Sequence, residues 1–189
     1  MNKLFAVAAV LCVLLLSGCG GLPIQPIMDS SEFPTKDSAY VAGMFSRSWD
    51  DEKLGFGLGL VEVESDDEYV MPFGVETDLP NSVKDVFVMI QLPPGKYRIA
   101  SWLTYSGSSA LTRTNIQPDS VTGRPFTVAP GEVTFVGSHV ARSKRPSGSG
   151  DNYTWTVYHQ RLSLKTAEKE LSKNYRSFSN LPIACPSCL

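Results

Sequence analysis

Histidine and cysteine are scarce in this chain, two and four among 189 residues. A metal centre or nucleophile–base pair built on imidazole must therefore use His139 or His159. Basic charge is not in excess, with 17 Lys and Arg against 19 Asp and Glu. That balance excludes the positive surface nucleic acid requires and gives no case for electrostatic binding to anionic headgroups. No apolar run reaches the about 20 residues of a membrane-crossing helix. There is no G-x-S-x-G elbow, no H-E-x-x-H, no P-loop and no G-x-G-x-x-G after a strand. No catalytic, cofactor-binding or metal residue is assigned, and the expectation is a non-enzymatic protein without a cofactor.

What is present is most informative at the start. Lys3 precedes an apolar stretch from Leu4 to Leu16, which Leu16-Ser17-Gly18-Cys19 closes. A basic start, a short apolar segment and small residues before a cut describe a secretory signal. Here the small residues lead into a cysteine, and the run resembles the lipobox of bacterial lipoproteins. That resemblance implies loss of residues 1–18 and a diacylglycerol on Cys19, the first mature residue. More than one acyl chain would hold a domain on a membrane without a spanning helix. Gly20 stands where an inner-membrane retention signal would place Asp. By resemblance to sorted lipoproteins, the expected location is the periplasmic face of the outer membrane. The expected partners are the membrane, through lipid on Cys19, and an envelope protein, with no nucleic acid.

Four segments follow. Residues 1–18 are the signal peptide, 19–37 a lipidated tether, 38–182 a β-sandwich domain with a C-terminal helix, and 183–189 a CxxC tail. The tether holds Pro23, Pro26 and Pro34 without apolar periodicity, so it is expected to be extended. Strands are expected at Ala39 to Ser48, Leu54 to Glu64, Tyr69 to Val75 and Val83 to Leu92. Further strands are expected at Tyr97 to Tyr105, Phe126 to Val128, Val133 to Arg142 and Tyr153 to Leu162. Val83 to Leu92 is apolar on both faces, which predicts a central strand. Tyr97, Ile99 and Leu103 share one parity and Trp102 the other. Pro94-Gly95 and Pro130-Gly131 are type II turn signals. The whole reads as mainly β, an antiparallel sandwich of short strands. The period then changes: Ala167, Leu171 and Tyr175 form one stripe of a helix over Lys165 to Tyr175, with Thr166 placed to cap it.

Leu92-Pro93-Pro94-Gly95-Lys96-Tyr97 and the run from Phe126 through Ala129-Pro130-Gly131-Glu132 to Gly137 look like a recurring small bacterial lipoprotein domain. Such domains are similar to transthyretin-like or carboxypeptidase-regulatory-like β-sandwiches. The resemblance covers Val83 to Pro182 and implies a fold; it carries over no catalytic residue.

Among local motifs, Cys185-Pro186-Ser187-Cys188 is the sharpest. A redox dithiol would need a helix after the first cysteine, whereas only Leu189 follows Cys188 here, so a structural disulfide is expected. By parity His139 shares a face with Val133 and Phe135, and His159 with Tyr153, Trp155 and Val157. A hairpin centred on Ser149 sets the two histidines opposite, with Cβ atoms about 5 Å apart. One centred on Ser147 separates them. Asp50-Asp51-Glu52 and Ser65-Asp66-Asp67-Glu68 read as solvated turns. Arg142 to Arg145 reads as a basic hairpin tip, and Trp49, Trp102 and Trp155 as core or as a sugar- or peptide-binding face. Three functions remain: a lipid-anchored module presenting a sheet edge or hairpin to a protein partner, a metal- or thiol-linked stress protein using Cys185, Cys188, His139 and His159, and a binder of small ligands or glycans.

Overall fold

The computed structural model describes residues 21–48, 55–73, 83–144 and 154–188. The alternating segments become β1 (Ala39–Ser48), β2 (Gly55–Glu62), β3 (Glu68–Pro72), β4 (Val83–Leu92) and β5 (Gly95–Ser106). They continue as β6 (Ser109–Asn115), β7 (Phe126–Val128), β8 (Val133–Lys144), β9 (Thr154–Gln160) and β10 (Ile183–Ala184), with α1 (Leu164–Asn174) before β10. One sheet runs β3–β2–β5, with β6 and β7 sharing the far edge of β5. The other runs β4–β1–β8, with β9 and β10 sharing the far edge of β8.

The fold is mainly β, two sheets face to face with one helix. The first sheet is antiparallel, but β1 and β10 run parallel to β8 in the second. The expected mainly β fold with one helix is present, with the second sheet mixed rather than antiparallel throughout. Alternation reports which face a residue takes, not the direction of the neighbouring strand. A parallel pair needs a long crossover, and the chain from β2 to β7 supplies it.

Two apolar layers result. Val41, Phe45, Phe56, Leu58, Leu60 and Ile90 lie between the sheets. Tyr40, Met44, Phe135, Ala167, Leu171 and Phe178 lie between the second sheet and the C-terminal segment. A side chain as buried as Phe45, whose ring stacks 4.9 Å from that of Phe73, stabilises by about 1.5–3 kcal/mol. β4 is an edge strand, not a central one. It is apolar on both faces because Val88 and Ile90 face one layer and Phe87 and Met89 the other. The helix buries Ala167 and Leu171, as their spacing requires. Its cap is Ser163, not Thr166: the Ser163 side chain accepts from the Thr166 N–H at 3.2 Å.

Gly131 takes φ +67°, as a turn after Pro130 demands. Gly95 does not enter the left-handed region. Pro93 and Pro94 instead pass the chain from one sheet to the other, and Gly95 opens β5. Strand β6 escapes the sequence pattern because all seven of its residues are exposed. It is held by pairing with β5, by the Thr104–Thr112 hydroxyl pair at 2.7 Å and by the Arg113–Glu68 ion pair.

Two bulges redirect side chains. Gly59 pairs with Ser101 and Leu60 with Ile99, leaving Ala100 extra in β5. One extra residue reverses the alternation. Trp102 therefore joins Tyr97 and Ile99 between the sheets, and Leu103 turns outward to Val70 and Tyr105, against the expected grouping. In β8, Ala42 pairs with Phe135 and Met44 with Ser138, so Val136 and Gly137 both stand opposite Gly43. Gly137 has φ +101°. Val133 and Phe135 face the helix layer, whereas His139 contacts Phe73 and Trp102 between the sheets. The expected shared face of His139, Val133 and Phe135 is broken by this bulge.

From residue 21 onward, the segment expected as a free tether is bound to the body. The Leu22 N–H donates to Ser108 O, the Val70 N–H to Pro23 O, the Gln25 N–H to Val70 O and the Met28 N–H to Met89 O, each at 2.9 Å. Leu22 and Ile24 cover the outward cluster of Val70, Leu103 and Tyr105. The segment thus runs from the edge of β3 to the edge of β4, one from each sheet, and occupies hydrogen-bonding groups that exposed edges leave open.

Candidate functional site

Strands β9 and β10 leave a gap along β8. β10 pairs with Val133 and Thr134, and β9 takes over at Ser138. The bulge lies in this gap, and the loop from Cys185 to Cys188 packs against it. A Cβ on Gly137 would sit 3.1 Å from Ser187 Oγ and only 2.4 Å from His159 Cε1. Close approach and positive φ both require glycine here.

His139 and His159 stand directly opposite across β8 and β9, ring centroids 5.0 Å apart. Of the two hairpin registers open to the sequence, the structure forms the one that joins them. His139 is completely buried, 4.8 Å from the Trp102 ring. Its Nε2 lies 3.2 Å from Val136 O, and because a carbonyl only accepts, Nε2 carries the proton. Its Nδ1 has no partner among the described residues. Burial, then the neighbouring His159, push its pKa down to about 3, so the ring is neutral at pH 7. His159 is shifted down as well, by burial and then by Arg161. Among the described residues, neither His159 nitrogen has a hydrogen-bond partner, nor does Ser187 Oγ.

Cys185 and Cys188 are joined, with S–S 2.05 Å, and pack beneath the helix layer. Their sulfurs are therefore not available as ligands. Among the described residues, no three of His, Cys, Asp and Glu come together. So short a loop restricts the unfolded chain little. Reduction is expected to lower stability by roughly 2 kcal/mol or less, measured by urea unfolding with and without a phosphine reductant.

Two openings flank this region. One, of about 160 Å³, lies between the loop before β7, the end of β9 and Pro186-Ser187. The other, of about 190 Å³, opens between β5–β6 and β9, lined by Phe56, Trp102, Trp155 and the threonines 104, 112 and 114. No family model matches the chain and no curated protein matches it. A solved structure of a leucine-rich repeat protein from Bacteroides thetaiotaomicron is similar at 14% identity and TM-score 0.37. The match covers 57% of this chain and 13% of that one.

Cys19, with the signal and lipobox, lies outside the described residues, as do Trp49, Asp50-Asp51-Glu52 and the hairpin tip from Arg145. Arg142 lies over the Tyr158 ring, 5.5 Å from its centroid. Glu62 closes the turn at Ser65, accepting the Ser65 N–H at 2.6 Å and the Glu64 N–H at 2.9 Å. The Ser65 bond is the chief reason its pKa falls. That acidic stretch is occupied with its own turn, and Glu68 with Arg113. Trp102 is core, and Trp155 is half-buried with its ring edge-on to Phe56 at 4.8 Å. Sequence reading did not single out Arg124, Arg161, Thr122 or Ser187 as site residues. They come from three separate segments, Thr122 and Arg124 from the loop before β7, Arg161 from just past β9 and Ser187 from the C-terminal loop, and nothing in the sequence connects the three.

Proposed function

We propose that the protein is a lipid-anchored, non-enzymatic module of the cell envelope that takes an extended segment of a partner protein along the edge of β9. The observation that carries this reading is the asymmetry of the edges. The chain's own residues 22–28 pair with β3 and β4. On the other side, β6 and β9 carry no further strand among the described residues. A partner strand on β9 would extend the second sheet beside the Trp102–Trp155 opening, using the hydrogen bonding the N-terminal segment already uses opposite.

Anchoring rests on the run Leu16-Ser17-Gly18-Cys19, and the resemblance of the turn motifs to transthyretin-like lipoprotein domains supports it. The docked segment bears on its consequence. Leu22 is fixed to Ser108, and three residues span at most about 10 Å, so acyl chains on Cys19 would hold the β5–β6 turn against the bilayer. The non-enzymatic reading is supported by the histidines. Among the described residues, His139 is hydrogen-bonded only to a backbone carbonyl and the His159 nitrogens have no partner, so neither is paired with a hydroxyl or thiol there. A second reading, a glycan or small-ligand binder, is favoured by the opening where Trp102 and Trp155 meet a row of threonines.

Cys19→Ser is expected to move the protein from the membrane to the soluble fraction and to remove the acyl mass; membrane retention refutes the anchor. A photo-crosslinking residue at Tyr158 of β9 is expected to give a defined adduct in cells, and one at Ser172 on α1 none. Absence of an adduct at Tyr158 removes the edge reading, and tryptophan fluorescence against a sugar panel then becomes the decisive measurement.

A further inference from the structure

The opening of about 160 Å³ has a composition that the partner-binding reading does not use. Two arginines line it, both exposed, Arg124 from the loop before β7 and Arg161 just past β9. Neither forms an ion pair among the described residues, and no acidic residue lines the opening. Two like charges at one concavity make it a favourable place for an anion. Arginine presents its donors in a planar fork that matches a carboxylate.

The wall behind them is polar and unused. The His159 nitrogens and the Ser187 hydroxyl lie buried there without a hydrogen-bond partner among the described residues. Buried polar groups are ordinarily satisfied, so unpaired ones gathered at one wall mark hydrogen-bonding capacity that the chain itself does not consume. The rest of the lining is Thr122 and apolar residues that include Ile99, Val121 and Phe126. A bare inorganic anion would leave that surface without a counterpart. As to size, an apolar cavity of about 150 Å³ accommodates benzene.

We propose that this opening is a binding site for a small organic carboxylate with an apolar body about one ring in size. Its carboxylate lies between Arg124 and Arg161, and its body lies against Ile99 and Phe126. Pro186 and Ser187, held by the Cys185–Cys188 bond, form the wall beside His159.

The test is calorimetric titration of the full chain in non-ionic detergent with benzoate, benzamide and inorganic phosphate. Benzoate is expected to bind at one site, and benzamide, its neutral counterpart, at least about tenfold more weakly, since hydrogen bonds to charged groups are the strong ones. Phosphate is expected to bind more weakly than benzoate. Arg124→Gln and Arg161→Gln are each expected to weaken benzoate about tenfold with an unchanged melting temperature, while Lys173→Gln on α1 has no effect. Absence of benzoate binding overturns the proposal, as does binding that survives the double Arg→Gln variant. Phosphate binding as tight as benzoate overturns the apolar half of it. The crosslink at Tyr158 is read separately, in the same Arg→Gln variants, so either reading can fail alone.

Discussion

Gly137→Ala is expected to lower the stability of the domain by about 3 kcal/mol, through backbone strain and overpacking together. For a domain of this size that is a fall of roughly 10 °C in melting temperature. Glycine is required twice at this position. A φ of +101° is a conformation L side chains rarely adopt, and the added Cβ would meet His159 Cε1 at 2.4 Å. Relieving the contact means moving the His159 ring or straightening the bulge, and straightening it shifts every later residue of β8 to the other face. Gly107→Ala is the control. It has φ +56° but nothing within 4 Å of the new methyl, so only the strain applies and about 1 kcal/mol is expected. Differential scanning calorimetry of both variants decides. Equal, small shifts would mean that the bulge is not fixed by the ring packed on it.

Acidification is expected to destabilise the protein well before its carboxylates titrate. In the unfolded chain His139 takes a proton near pH 6.5, but in the fold it resists protonation down to about 3. The unfolded state therefore binds more protons in that window, and stability falls as the pH drops through it. The steepest loss from one such histidine is about 1.4 kcal/mol per pH unit. His159, also shifted down, adds in the same sense. Asp29 and Glu62 have lowered pKa values, through hydrogen bonds from Ser31 and Ser65 respectively. They add in the same direction but only at and below the ordinary carboxylate range, near pH 4. Unfolding free energies from urea titrations between pH 7 and 5 therefore report the histidines. His139→Gln, which cannot titrate, is expected to flatten that slope by about one proton even if the variant is less stable at pH 7. An unchanged slope would contradict a neutral, sealed His139.

The same two residues show where sequence reading reached its limit. Alternation located β1, β2, β4, β5, β8 and β9 to within a few residues, because each has a face to bury and period two betrays it. The stripe of Ala167, Leu171 and Tyr175 located the helix in the same way. What alternation cannot carry across is a bulge. Ala100 and the Val136-Gly137 pair each add a residue that leaves no mark in hydrophobicity, and after each the faces exchange. Strict parity consequently gives Trp102, Leu103 and His139 the wrong neighbours. Gly137 is the one local hint, a glycine inside an apolar strand. The pairing of β1 with β8 and the exposed strand β6 were illegible for other reasons: the first depends on a remote partner, and the second has no buried face at all. The site followed the same division. The histidines were visible as residue types, and their register was one of two alternatives. Arg124, Arg161 and Ser187 line one opening only because the crossover from β2 to β7, which carries Arg124, returns the chain to β8, where β9 and β10 pair.

That crossover also governs when the structure can exist. β1 is buried on both faces, yet the strand that completes one of its edges begins only at Val133, and the helix layer over its outer face only at Leu164. Chains emerge N-terminus first, so for most of synthesis β1 has neither its parallel neighbour nor its cover. Closing so long a loop before any reward is gained makes folding slow. A chain interrupted anywhere before β8 carries an apolar strand with an open edge, the form most prone to aggregate. Quality of this protein in the cell is thus decided at its last third, after nearly everything else has already been made.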